Sequence, residues 1–125
     1  MMILTTEEII RIHSMLILKT GGLDGIRDKG LLESAVFSIS SGFGDIERYV
    51  MIEEKAARLA YGIISNHAFL DGNKRIGILV MLMTLRLNGV PLFYTQDELI
   101  QLGLEIAAGN LDYEQILQWV MSHKS

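Results

Sequence analysis

Apolar side chains recur along this chain at intervals of three and four residues, the spacing that gathers them on one side of a helix. Ile9, His13, Leu16 and Ile17 share one face; Leu31, Leu32, Ala35, Val36 and Ile39 share another; Ile52, Ala56, Leu59, Ala60, Ile63 and Ile64 form a third. Thr5 with Glu8, Thr95 with Glu98 and Asp112 with Gln115 have capping-box spacing, in which each side chain can accept the other residue's backbone N–H. These pairs predict helix starts near residues 6, 96 and 113.

The stretch from Lys74 to Asn88 differs from the others because it is apolar nearly all round, the pattern of a buried central helix onto which amphipathic neighbours pack. Gly89 and Pro91 stop it. Gly21, Gly22 and Gly25 break the first helix, and Ser40-Ser41-Gly42-Phe43-Gly44 has the composition of a flap or lid. No internal repeat or low-complexity linker interrupts the series. The pattern predicts an all-α fold, a compact bundle of about six helices around a buried central helix, with residues 1–125 forming a single domain.

Composition narrows the function. At 125 residues and 50% hydrophobic, the chain can bury a real core. Its formal charge of −4 offers no broad basic surface, which disfavours direct binding of nucleic acid, although a local pair such as Lys74 and Arg75 can grip one phosphate group. The absence of cysteine excludes disulfides and thiolate metal sites. The N-terminus has no signal-peptide pattern, and the apolar run from Ile76 to Met83 is too short to span a bilayer, so a cytoplasmic location without membrane contact is expected.

Candidate chemistry is concentrated in His67-Ala68-Phe69-Leu70-Asp71-Gly72-Asn73-Lys74-Arg75, which places a base, a carboxylate, a turn glycine and two cations in one segment. His67 ends an amphipathic helix, where an imidazole can take a proton from an attacking hydroxyl; the structural alternative is a histidine facing the helix dipole. Phe69 reads as an anchor to the core. Asp71 can contact a Mg2+ ion that bridges it to nucleotide phosphates, or it can act as an ordinary helix cap. Gly72 permits a close backbone approach, and Asn73 can cap the next helix or hydrogen-bond the loop and a ligand. Lys74 and Arg75 stand at a helix N-terminus, where the dipole disfavours cations and a compensating anion is called for. Gly72, Asn73, Lys74 and Arg75 are therefore the candidate phosphate or nucleotide-binding residues, His67 the candidate catalytic residue and Asp71 the candidate metal contact. Neither a Walker loop nor a protein-kinase glycine loop is present. His13 receives no role, His123 reads as tail, and the methionines, Met81 and Met83 among them, read as packing residues.

The segment His-x-Phe-x-Asp-Gly-Asn-Lys-Arg resembles the signature of the Fic/Doc family, and within it the Doc (death-on-curing) toxin branch, where Lys replaces the second glycine of the Fic pattern. Gly21 to Asp28 and Leu31 to Ala35 also resemble the N-terminal half of Doc-type proteins. The resemblance implies the helical Fic/Doc fold with His67 as the catalytic base. It further implies a toxin of a toxin–antitoxin pair that uses ATP and Mg2+ to transfer a phosphoryl group to a protein hydroxyl, with elongation factor Tu as substrate and arrest of translation and growth as outcome.

Two other functions remain open on the same residues: a Fic-like adenylyltransferase that moves AMP, and a non-catalytic protein that binds a nucleotide or partner. Ile78 stands where Fic-type enzymes carry a further arginine, which together with Lys74 favours phosphoryl over adenylyl transfer. The self-inhibiting pattern of many Fic enzymes, Ser/Thr-x-x-x-Glu-Gly/Asn, is absent. Restraint is expected from a cognate antitoxin whose disordered tail folds into an apolar groove beside the flap around Ser40 to Gly44 and the loop from His67 to Arg75.

Overall fold

A computed structural model of the chain describes residues 1–40, 42–43, 46–47 and 49–124. Among them are six helices, α1 (Thr6–Thr20), α2 (Lys29–Ser38), α3 (Ile52–Asn66), α4 (Asn73–Leu87), α5 (Gln96–Ala107) and α6 (Tyr113–Ser122). Two short strands, β1 (Gly42–Phe43) and β2 (Ile46–Glu47), pair antiparallel; β1 falls within the segment expected to be a flap and β2 just beyond it. Ser41 and Gly44 of that expected flap lie outside the described residues.

The helix starts follow from their caps. Thr5, Thr95 and Asp112 each accept the backbone N–H three residues on, and Glu8, Glu98 and Gln115 return the bond, so α1, α5 and α6 begin where the capping boxes place them. Asp28 caps α2 by accepting from the Leu31 N–H. The helix expected from Lys74 begins one residue earlier, at Asn73.

The α4 helix is buried as expected, with Ile76, Val80, Met81, Thr84 and Leu85 at 1% exposure or less. It shares the centre of the bundle with α3, whose Ala56, Leu59, Ala60, Ile63 and Ile64 are fully buried. The α3 helix packs against α2, α4, α5 and α6, while α4 adds contacts to α1. The connection between α3 and α4 is short, so they run antiparallel, and every other helix lies on this pair. An amphipathic pattern thus produced a helix as buried as the all-apolar one, because its polar face is covered too: Lys55 is buried and donates to the Ile39 carbonyl at 2.9 Å, and the buried Glu53 accepts from Lys124 at 2.6 Å. His123 is built into the fold rather than left as tail: its ring stacks on Trp119 at 3.9 Å, and its Nε2 lies 2.7 Å from Glu98. None of the described helices is long and apolar enough to cross a membrane.

The α3–α4 contact is close at Gly77, where an added Cβ would lie 2.5 Å from Ile64 Cγ1 and 2.9 Å from its Cδ1. Alanine would gain about 1 kcal/mol of helix propensity, but overpacking costs about 1–3 kcal/mol, and the clash falls on an atom close to the Ile64 backbone rather than at a free side-chain end. Gly77→Ala is therefore expected to lower the midpoint of thermal unfolding; an unchanged or higher midpoint would show that the two helices separate more easily than their packing indicates.

Candidate active site

The loop from His67 to Gly72 closes the α3–α4 hairpin, and its geometry begins with the end of α3. His67 is the C-cap in the left-handed conformation, with φ 50 and ψ 51, and it has the only positive φ of any non-glycine residue among those described. Such a backbone costs about 1–2 kcal/mol for an ordinary L-residue, so surrounding bonds must hold it. Arg27 does so: its Nε donates to the His67 carbonyl at 2.7 Å, and a terminal nitrogen donates to the Asn66 carbonyl at 2.9 Å. A cation on the last carbonyls of a helix also suits the dipole. The His67 side chain is exposed and makes no hydrogen bond among the described residues.

A second strand of chain supports the loop. Ile26 bridges Phe69, the Arg27 and Asp28 N–H groups donate to the Ala68 carbonyl at 2.8 and 3.0 Å, and the Leu70 N–H donates to the Gly25 carbonyl at 3.1 Å. The segment from Gly21 to Asp28 is thus more than a helix break; it forms one wall of the site. Gly22 has φ 117, a backbone that favours glycine, and a Cβ on it would lie 2.5 Å from Asp71 Oδ2.

Phe69 is buried, as expected of an anchor. Asn73 turns its side chain back onto that residue: Oδ1 accepts from the Phe69 N–H and Nδ2 donates to the Phe69 carbonyl, both at 3.0 Å. Of the roles open to Asn73, the structure shows the loop-bonding one. Gly72, the N-cap of α4, has φ 77, and a Cβ there would come within 3.0 Å of Ile17. No side chain caps α4, so its N-terminus presents Lys74 and Arg75 beside backbone N–H groups without a capping acceptor.

The two cations differ. Lys74 is exposed, whereas Arg75 is tied down: it donates to the Thr20 hydroxyl and to the Gly21 carbonyl, the latter at 3.0 Å, and approaches Asp71 Oδ1 at 3.8 Å. Part of the anion expected to offset these charges is therefore internal, the Asp71 carboxylate. Asp71 accepts from the Leu23 N–H at 3.2 Å and the Gly72 N–H at 2.8 Å. These bonds, the Leu23 one foremost, hold its carboxyl below the ordinary aspartate value, with the Arg75 charge adding to them. It remains about half exposed. No group of three or more His, Cys or acidic residues suited to a metal occurs among the described residues, so Asp71 offers a single carboxylate.

Beside the loop lies an apolar groove of about 380 Å³ between α1, α4 and α5, with Thr20, Lys74 and Arg75 at its polar end. Ile78, at the position where the Fic pattern has arginine, lines it. Among the described residues this groove adjoins the loop at Lys74 and Arg75, and Ser40, the start of the expected flap, lines a separate hollow with Phe37 and Lys55.

These features define an α-helical site built on one hairpin loop and a helix N-terminus, and comparison with known proteins identifies its class. The Fic/DOC family model matches residues 3–85, and the chain belongs to that family. It is 34% identical over 98 residues to a protein named Toxin Doc from Mycolicibacterium smegmatis, an alignment covering 77% of this chain and 75% of that one. It is 29% identical over 113 residues to Protein kinase doc of Escherichia phage P1, covering 90% and 88%.

The environment of Asp71 makes a pH prediction. Its folded-state pKa is depressed, so its contribution to loop order is fully present above the ordinary value of 3.8 and is lost as pH falls through the lower folded value. The Asp71 carboxyl is expected to titrate by NMR below 3.8, with the Leu23 and Gly72 amides shifting at the same midpoint. A midpoint at or above 3.8 would show that these amides do not bond the carboxylate in solution.

Proposed function

We propose that the chain is a Doc-like toxin that transfers the γ-phosphoryl group of ATP to a hydroxyl on a protein. The observation that carries this reading is the juxtaposition of an exposed imidazole at His67, unpaired among the described residues, with the uncapped N-terminus of α4 and its Lys74. His67 takes the proton of the acceptor hydroxyl, the oxygen bonds to the γ-phosphorus, and the bond to the bridging oxygen breaks, releasing ADP. Lys74, Arg75 and the free N–H groups at the start of α4 stabilise charge on the phosphates, the dominant catalytic contribution in this chemistry. A single carboxylate with unused lone pairs suits Mg2+, which is commonly held by one or two carboxylates plus substrate phosphates. Bound there, it would neutralise phosphate charge. The name of the phage relative supports kinase chemistry, and Ile78, an apolar groove residue in place of a guanidinium, speaks against an adenylyl-transfer arrangement.

Incubation with ATP labelled at either the α or the γ phosphate, with elongation factor Tu as the first acceptor, tests the reading. Label is expected to move from the γ position only; an AMP adduct would make the chain an adenylyltransferase, and no transfer to any acceptor would leave it a binding protein. His67→Ala should lower transfer by about 10²–10⁴-fold while the helical circular dichroism is retained, since the side chain is exposed. A folded variant with full activity would remove His67 as the base.

The toxin reading also gives the groove an occupant, the amphipathic tail of an antitoxin, folding as a helix against Leu16, Ile78, Leu82, Leu99, Ile100 and Leu104. Ile100 and Leu104 are exposed at 52% and 46%, so glutamate at both should disturb the fold little. Co-expressed with the product of a neighbouring small reading frame, the wild type is expected to permit growth and the Ile100→Glu, Leu104→Glu variant to arrest it. If the variant is restrained equally well, the tail binds elsewhere.

A further inference from the structure

His13 is a titratable group that the proposed chemistry leaves unused, yet it is 1% exposed and lies directly behind the loop. Its Nε2 is 2.7 Å from the Asp71 carbonyl oxygen. A carbonyl only accepts, so Nε2 carries the proton and donates it. Its ring lies parallel to Phe69, with centroids 3.8 Å apart and planes 15° apart. Nδ1 faces Asp24 Oδ1 at 3.6 Å, and that oxygen accepts from the Ser14 hydroxyl at 3.0 Å. The loop passes close to this ring: a Cβ on Gly72 would lie 3.5 Å from Nε2.

An apolar side chain would fill the same space but leave the Asp71 carbonyl without its donor. The peptide that bears this carbonyl joins Asp71 to Gly72, so its orientation sets both the Asp71 carboxylate and the first turn of α4. Asn73 fixes Phe69 from the first residue of α4, and His13 grips the same turn from behind. We propose that His13 is a positioning residue for the transfer reaction, holding the Asp71 peptide and the Phe69 ring so that carboxylate and helix N-terminus are aligned before the nucleotide binds. This inference rests on the phosphoryl-transfer reading above. A displacement of about 1 Å in such groups can cost about 10²-fold in rate.

Two amides separate positioning from packing. Glutamine places its Nε2 about as far from the backbone as the imidazole Nε2 and can donate to the Asp71 carbonyl, whereas asparagine reaches only as far as Nδ1. His13→Gln is expected to keep kcat within about threefold of wild type, and His13→Asn to lose about 10–100-fold in kcat. The Leu23 and Gly72 amides should exchange faster in the asparagine variant and at near wild-type rates in the glutamine variant. A purely structural role would lower the unfolding midpoint of both variants and leave kcat of the folded protein unchanged in each, which would overturn the proposal. The wild type provides a check that needs neither activity nor a folded variant: nitrogen-15 NMR of the His13 ring is expected to show Nε2 protonated, and an unprotonated Nε2 would overturn the proposal. If the wild type transfers no phosphoryl group, the functional reading fails, while the ring tautomer and the amide exchange still decide whether His13 holds the loop.

Discussion

Two helix ends of opposite electrostatic character meet in the turn between α3 and α4, and the site depends on how differently they are satisfied. The carbonyls at the end of α3 carry partial negative charge and receive the Arg27 guanidinium. The N–H groups at the start of α4 carry partial positive charge and receive no side-chain cap, although four of the other helices have one from Thr or Asp. Both helices are packed into the core, so the turn cannot relax to bring a side chain to the second end without disturbing that packing. The same constraint that builds the hairpin leaves an anion-seeking surface beside an exposed imidazole.

The bond pattern around this turn explains why a loop can act as a rigid element. Phe69 has its N–H and carbonyl bonded by Asn73, its ring covered by His13, and the neighbouring residues bonded to the strand-like segment from Gly25 to Asp28. A catalytic group on such a turn is held as firmly as one on a helix, and preorganisation is what gives fixed dipoles their effect on a developing charge. The left-handed backbone at His67 fits this account, because the Arg27 bonds hold the carbonyls while the side chain is turned outward.

Much of the fold was legible because helix signals are local. A capping box spans four residues and an amphipathic stripe spans a few turns, so the starts of α1, α5 and α6 and the faces of α1, α2 and α3 could be read directly. The equal centrality of α3 was hidden, since Lys55 and Glu53 look like a solvated face until the carbonyl and ammonium that meet them are known. In the site, the residues from His67 to Arg75 were legible as a contiguous segment. Arg27 and His13 were not, because their bonds to the loop reach across 40 and 58 residues and have no periodic signature. The one available signal for His13 was its position on the apolar face of α1 with Ile9 and Ile17, which shows burial but does not name the acceptor.

Arg75 shows why an unfavourable local choice can persist. A guanidinium in the first turn of a helix opposes the dipole by about 0.3–1 kcal/mol, yet here it contacts the Thr20 hydroxyl, the Gly21 carbonyl and, more loosely, the Asp71 carboxylate. These contacts join the end of α1, the loop from His67 to Gly72 and the start of α4. Lys74, one residue earlier, has the same unfavourable position and remains exposed at the groove end. The adjacent cations thus divide the work: one organises the site through partners within the chain, and the other keeps its charge available to a ligand.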